Sequence, residues 1–311
     1  MDRLKRLPVA ILPTFVGTLT LSNVYGGLGY TWLRYVVMIC AAIVIIAYLV
    51  KIVLHPAVCG AEYEQTVPCS LYAGLTMSLM ILGSFYKEIG LGFGKIIWLA
   101  AVIVHIVHIC VFTYRNVIKK RDIHTTVPSW FVTYNGLLVS CVTGGAMNMK
   151  GLLQVIATYG VIIYLILLPV MLVRLVRVPV KPAVYHTMPV LLAPCSLCVV
   201  SLCNVFEETS AVLLVFLYCC VLASLLFIII KLPDFFSFPF TPGFAGLTFP
   251  MAIGIVATNK MSAWFTAHGN AGAGTACAQL SGLQLFLTSM LVGFVLLQFV
   301  RMLLGKKMRE V

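Results

Sequence analysis

Two histidines one turn apart, His105 and His108, and the cysteines of "PCSLC", Cys195 and Cys198, have the types and spacing that could do chemistry. The histidines could relay protons, because imidazole is the side chain that titrates near neutral pH without help. The cysteines could hold a metal or exchange a disulfide. That use of CxxC needs a second pair or a histidine at metal spacing, and none follows. Most of the eleven cysteines sit in apolar runs, where a thiol behaves as a small hydrophobe. No HExxH, no GxSxG, no GxxxxGK[ST] and no paired intramembrane carboxylate is present. Enzymatic function is therefore not expected, and neither a metal nor a cofactor is called for. A third kind of site needs no reactive group. In "GFAGLTFPMAIGIVATNK", residues 243–260, Phe249 stands directly before Pro250 in an apolar run weakened by glycine. A bulky apolar ring at such a break can close a water-filled path by blocking and dewetting it.

The elements that must position these residues are membrane spans. The 311 residues are 61% hydrophobic and 10% charged, with a mean hydropathy of +1.06. Soluble domains are nearer a quarter charged. Runs long enough to cross a bilayer fall near 8–24, 32–54, 68–86, 95–114, 127–146, 151–174, 186–205, 210–232, 242–260 and 280–304. The net charge of +12 does not indicate nucleic acid, because the basic residues cluster in the short gaps between runs. Sixteen of the 21 Lys and Arg fall on the face that holds both termini, and only Lys87, Lys95, Lys150 and Lys260 on the other. That bias predicts a multi-pass protein of the cell membrane with both termini in the cytoplasm. The even number of spans agrees.

The odd runs repeat. "LPVAILPTF", "VPCSLYAGL", "VPSWFVTYN" and "MPVLLAPCS" carry Pro8, Pro68, Pro128 and Pro189, spaced 60, 60 and 61 apart. A fixed period is a statement about architecture: one transmembrane domain, 1–311, of five helical hairpins near 8–54, 68–114, 127–174, 186–232 and 242–304. The even runs are smooth and greasy, whereas the odd ones carry proline, glycine and hydroxyls. The predicted fold is all-α, with an inner ring of five kinked helices around a central pore and an outer ring of five. A second column, five residues on, reads Pro13, Ala73, Thr133, Pro194 and Pro250. Four residues further stand Gly17, Met77, Leu137, Cys198 and Gly254; Thr20, Ser140, Ser201 and Ala257 belong to the column at +7. These positions share one helix face and are the candidate pore lining, together with Tyr72. That face is small and weakly polar, with no ionised group, and also suits close helix packing. Immediately before the second column stand Leu12, Tyr72, Val132, Ala193 and Phe249. Phe249 is the large apolar plug of this level and the candidate gate.

Ten spans in five hairpins, "LTFPMA" in the ninth and "VPSWFV" in the fifth resemble the tellurite-resistance/dicarboxylate transporter family, which includes the plant slow anion channels. The resemblance covers about residues 5–305. It implies a homotrimer in which each subunit has its own pore, lined by odd helices and closed by a phenylalanine of the ninth, here Phe249.

Two functions follow as expectations. One is a channel for small anions such as chloride or nitrate, with basic residues at the cytoplasmic mouth raising local anion concentration. The other is a secondary transporter of C4-dicarboxylates such as malate, or of tellurite-type oxyanions. Coupled transport normally needs an intramembrane acid or base. His105 and His108 are the visible candidates, but on an outer span they read as hydrogen-bonded structural histidines or as part of an interface.

Overall fold

The computed structural model describes residues 2–305; Lys306, Lys307 and Arg309 of the basic C-terminal run lie outside them. The described residues are helical, without strands, and form ten main helical stretches. These are α1 (Ile11–Gly27), α2 (Thr31–Leu54), α3 (Ala73–Glu88), α4 (Phe93–Phe112), α5 (Trp130–Thr143), α6 (Lys150–Arg177), α7 (Leu192–Val205), α8 (Ala211–Phe236), α9 (Thr248–Ala267) and α10 (Ala271–Leu303).

Burial separates the two kinds. The most apolar windows of α2, α4, α6, α8 and α10 are only 28–39% buried, whereas the stretch ending in α7 is 89% buried. The outer helices face lipid with Ile, Val and Leu, which costs nothing in a bilayer. The inner stretches must approach one another, and small residues permit this. Contacts close a ring of α1, α3, α5, α7 and α9, with α9 returning to α1. Each outer helix packs on the inner helix of its own hairpin.

The breaks in the inner helices lie ahead of the second-column prolines rather than at them. Pro13, Pro194 and Pro250 are each the third residue of α1, α7 and α9. The first four N–H groups of a helix have no partner within it, so proline there sacrifices no hydrogen bond. The irregular backbone comes just before: a 3₁₀ stretch Pro182–Leu191 leads into α7 and another, Pro242–Leu247, into α9. The second hairpin opens with a separate helix, Thr66–Leu71. α5 is the most interrupted, with a 3₁₀ turn, Gly136–Leu138, between two short α-helical pieces.

Two glycines set the closeness of the ring. A Cβ on Gly17 would lie 2.6 Å from the backbone nitrogen of Phe249, and one on Gly74 would lie 2.7 Å from that of Pro13. The α1–α9 and α1–α3 contacts are therefore backbone against backbone. At the face carrying the termini, the fully buried ammonium of Lys51 lies 2.6 Å from Glu62 Oε1 and donates to the Leu7 carbonyl at 2.8 Å. Glu62 Oε2 also accepts from the Tyr72 hydroxyl at 2.7 Å. This cluster ties the N-terminal segment and the short helix Pro56–Glu64 to α2 and to the lead-in of α3. At the opposite face Lys150 holds Glu207 at 2.5 Å, which keeps that carboxyl below the usual carboxylate range.

Candidate functional site

The ring encloses two spaces on its axis. One is an open vestibule of about 820 Å³ at the face opposite the termini. Thr20 and Asn23 of α1, Ser84 of α3, Thr143 of α5, and Ile253 and Asn259 of α9 line it. The other is an enclosed cavity of about 30 Å³, room for about one water molecule. All five inner stretches contribute to its wall: Pro13 and Val16, Met77, Val132 and Gly136, Ala193 and Leu197, and Phe249 and Pro250. Phe249 lines both spaces. Its residue is only 5% exposed, at the boundary between a vestibule of mixed polarity and an apolar cavity.

Phe249 is held there from its own backbone outward. It is the second residue of α9, where the chain passes from 3₁₀ to α-helical winding. The Thr248 hydroxyl donates to the Ala245 carbonyl at 2.7 Å and lies 3.4 Å from that of Pro13. Gly17 lets α1 press directly on the Thr248–Phe249 peptide. The ring of Phe249 is thus carried on a backbone gripped from two sides.

The vestibule wall mixes apolar side chains with hydroxyl, amide and charged groups. Arg34 lies 2.6 Å from Glu88 and its Nε donates to Asn23 Oδ1 at 2.7 Å. Lys260 also lines the wall, and among the described residues it has no carboxylate within salt-bridge distance. With Arg34 and Glu88 cancelling, the vestibule bears one surplus positive charge. Lys260 also shares a neighbouring pocket with Glu207 and Glu208, and no ionised side chain lines the apolar cavity below.

The sequence-derived positions divide by geometry. Pro13, Met77, Phe249 and Pro250 meet on the enclosed cavity, and Thr20 lines the vestibule. The others turn elsewhere. Gly17 faces the α9 backbone, and Gly254 faces Leu192 and Gln284. Tyr72 reaches Glu62. Thr133 turns to α4, and the Cys198 thiol approaches the Gly160 carbonyl of α6. Ser140 bonds the Leu137 carbonyl. Ala73, Leu137, Pro194, Ser201 and Ala257 are packed inside, off both cavity walls. The cavity wall follows the positions before and three after the second column: Val132, Ala193 and Phe249, then Val16, Gly136 and Leu197. In a helix, offsets −1, 0, +3 and +4 fall on one side, so this wall is the −1 and +3 edge of the predicted face, with Pro13, Pro250 and Met77 beside it. Arg34, Glu88 and Asn23 were not singled out from sequence. Their signal is a pair of opposite charges at the ends of neighbouring spans beside one hydrogen-bonding amide.

His105 and His108 face inward from α4. His105 Nε2 donates to the Thr133 carbonyl at 2.9 Å, and its Nδ1 lies 2.6 Å from the Thr76 hydroxyl. His108 lies 2.7 Å from the Tyr63 hydroxyl and 3.3 Å from Thr133 Oγ1. The regular α-helical acceptor role of Thr133 is interrupted where α5 tightens to 3₁₀, and His105 supplies the missing donor. All four ring nitrogens are engaged. Among the described residues no group of His, Cys, Asp and Glu is placed to hold a metal ion.

None of the curated proteins matches the chain. Residues 6–303, nearly the whole chain, match the family described as SLAC1, voltage-dependent anion channel, and the chain belongs to that family.

Proposed function

We propose that this chain is a channel for small anions such as chloride or nitrate, passed along the axis of each subunit's ring, with Phe249 as the gate. The single observation that carries the reading is the position of Phe249 on the walls of both the vestibule and the enclosed cavity. The family membership supports membrane anion transport in general. The finer assignment rests on the apolar constriction and on the lack of an ionised side chain on the enclosed cavity wall. Anions would be attracted by the vestibule and released quickly from an axis without a charged binding site, as conduction requires. The hydrogen bonds of His105 and His108 favour this reading over proton-coupled dicarboxylate transport, since neither ring is free to exchange protons with the axis.

The charge asymmetry supports termini in the cytoplasm and a vestibule open to the outside. The homotrimer and residence in the cell membrane are carried over from the family resemblance. Flux from liposomes loaded with chloride, nitrate or malate tests the proposal. Chloride or nitrate flux independent of a proton gradient supports it. Malate flux that stops when the proton gradient is dissipated would replace it with the transporter.

A further inference from the structure

A groove of about 600 Å³ lies away from the axis, between the end of α6 and the segment that follows α4. Its walls are apolar and exposed: Val117 and Ile123 on one side, Val170 and Val173 of α6 on the other. Such a wall suits a hydrocarbon chain. Its rim is basic. Arg121, Arg174 and Arg177 line it, against a single carboxylate, Asp122.

Arg174 is the informative member. It is 2% exposed, yet its guanidinium reaches only carbonyl oxygens, those of Ile123, His124 and Val178, at 3.3–3.4 Å. Among the described residues no carboxylate pairs with it. Asp122 instead accepts from the His124 backbone N–H at 2.9 Å. A buried arginine normally has an anionic partner. Here the missing negative charge faces a groove that is otherwise apolar.

The depth of the groove completes the argument. α6 has 28 residues, a length of about 42 Å at 1.5 Å per residue, whereas about 20 residues cross the hydrocarbon core. Its last turn, with Arg174 and Arg177, therefore stands at the level of lipid phosphates, and Val170 and Val173 lie just inside. This is the face that holds most of the chain's Lys and Arg. Basic pockets between spans on such a face suit anionic headgroups.

We propose that this groove binds an anionic phospholipid, its phosphate held by Arg121, Arg174 and Arg177 and an acyl chain laid along Val170 and Val173. The test is native mass spectrometry of the detergent-purified full chain, titrated with phosphatidylglycerol and with phosphatidylcholine. Wild type binds phosphatidylglycerol more tightly. Arg121 and Arg177 are exposed, so the R121Q/R177Q double variant should fold. It should weaken phosphatidylglycerol binding by about 30-fold, at about fivefold per arginine, and leave phosphatidylcholine little changed. The matched control K5Q/K119Q removes two basic residues of the same face that lie off the groove, and should bind as wild type. Equal binding by wild type and R121Q/R177Q overturns the proposal, as does an equal loss in the control. Displacement of the lipid by millimolar inorganic phosphate would show a phosphate site rather than a lipid site. A photo-crosslinker at Val173 that captures a second chain instead of lipid would show a subunit interface and overturn the lipid assignment.

Discussion

Adding one methyl group at Gly17 tests how the gate-bearing helix is held. In Gly17→Ala the new Cβ would meet the Phe249 nitrogen at 2.6 Å, the Thr248 carbonyl carbon at 2.7 Å and Thr248 Cβ at 2.8 Å. Two of these are backbone atoms and cannot rotate away. An ordinary contact is 3.4 Å or more, so α1 and the start of α9 must part by about 0.8 Å. Overpacking of this kind costs about 1–3 kcal/mol. A chain of this size would lose about 2–6 °C of melting temperature. The displacement also moves the backbone that carries Phe249, so basal anion flux should rise. Gly282→Ala is the comparison, because a Cβ there meets nothing within 4 Å. It should be neutral or slightly stabilising through better helix propensity. The assay is thermal unfolding of both purified variants together with chloride efflux from liposomes. A Gly17→Ala protein that melts with Gly282→Ala and leaks no more than wild type would refute the close-packed grip on the gate.

Three further outcomes are expected. His105→Leu keeps a similar volume but leaves the buried Thr133 carbonyl unpaired, at a cost of about 1–3 kcal/mol; thermal unfolding should show the loss, with His105→Gln recovering part of it. Glu62→Gln leaves the buried Lys51 ammonium without its counter-charge but with an amide oxygen to donate to, and losing a charge-assisted hydrogen bond costs about 1.5–3 kcal/mol; unchanged stability in a denaturation series would contradict the clamp at this face. Lys260→Gln removes the surplus charge of the vestibule, so chloride flux should fall about two- to fivefold at low ionic strength and converge with wild type near 1 M salt, where charges are screened beyond about 3 Å.

The features legible in the sequence are those that repeat or are averaged over many residues. The five inner runs stood out because helices crowded on all sides need proline, glycine and hydroxyls, whereas lipid-facing helices such as α8 can be uniformly greasy. Phe249 stands out because its counterparts Leu12, Val132 and Ala193 are smaller; Tyr72 is comparable in size, and only the structure shows it drawn off by Glu62. What was not legible depends on local winding. Pro250 looks like a kink within a helix, but it occupies the third position of α9 behind a 3₁₀ stretch. The sequence puts His105 on an outer helix, as a hydrogen-bonded structural residue or part of an interface. Its partner, a backbone carbonyl in broken α5, could not be seen because backbone acceptors have no sequence signature.

The central claim is that the ring of Phe249 separates the vestibule from the axial cavity and thereby holds the path shut. Chloride efflux from liposomes containing wild type, Phe249→Leu or Phe249→Ala measures this directly. The rate should rise as the side chain shrinks, with Phe249→Ala fastest and its flux unaffected by dissipating the proton gradient. Equal efflux from all three proteins, at matched incorporation and with the folded state verified, would contradict the account.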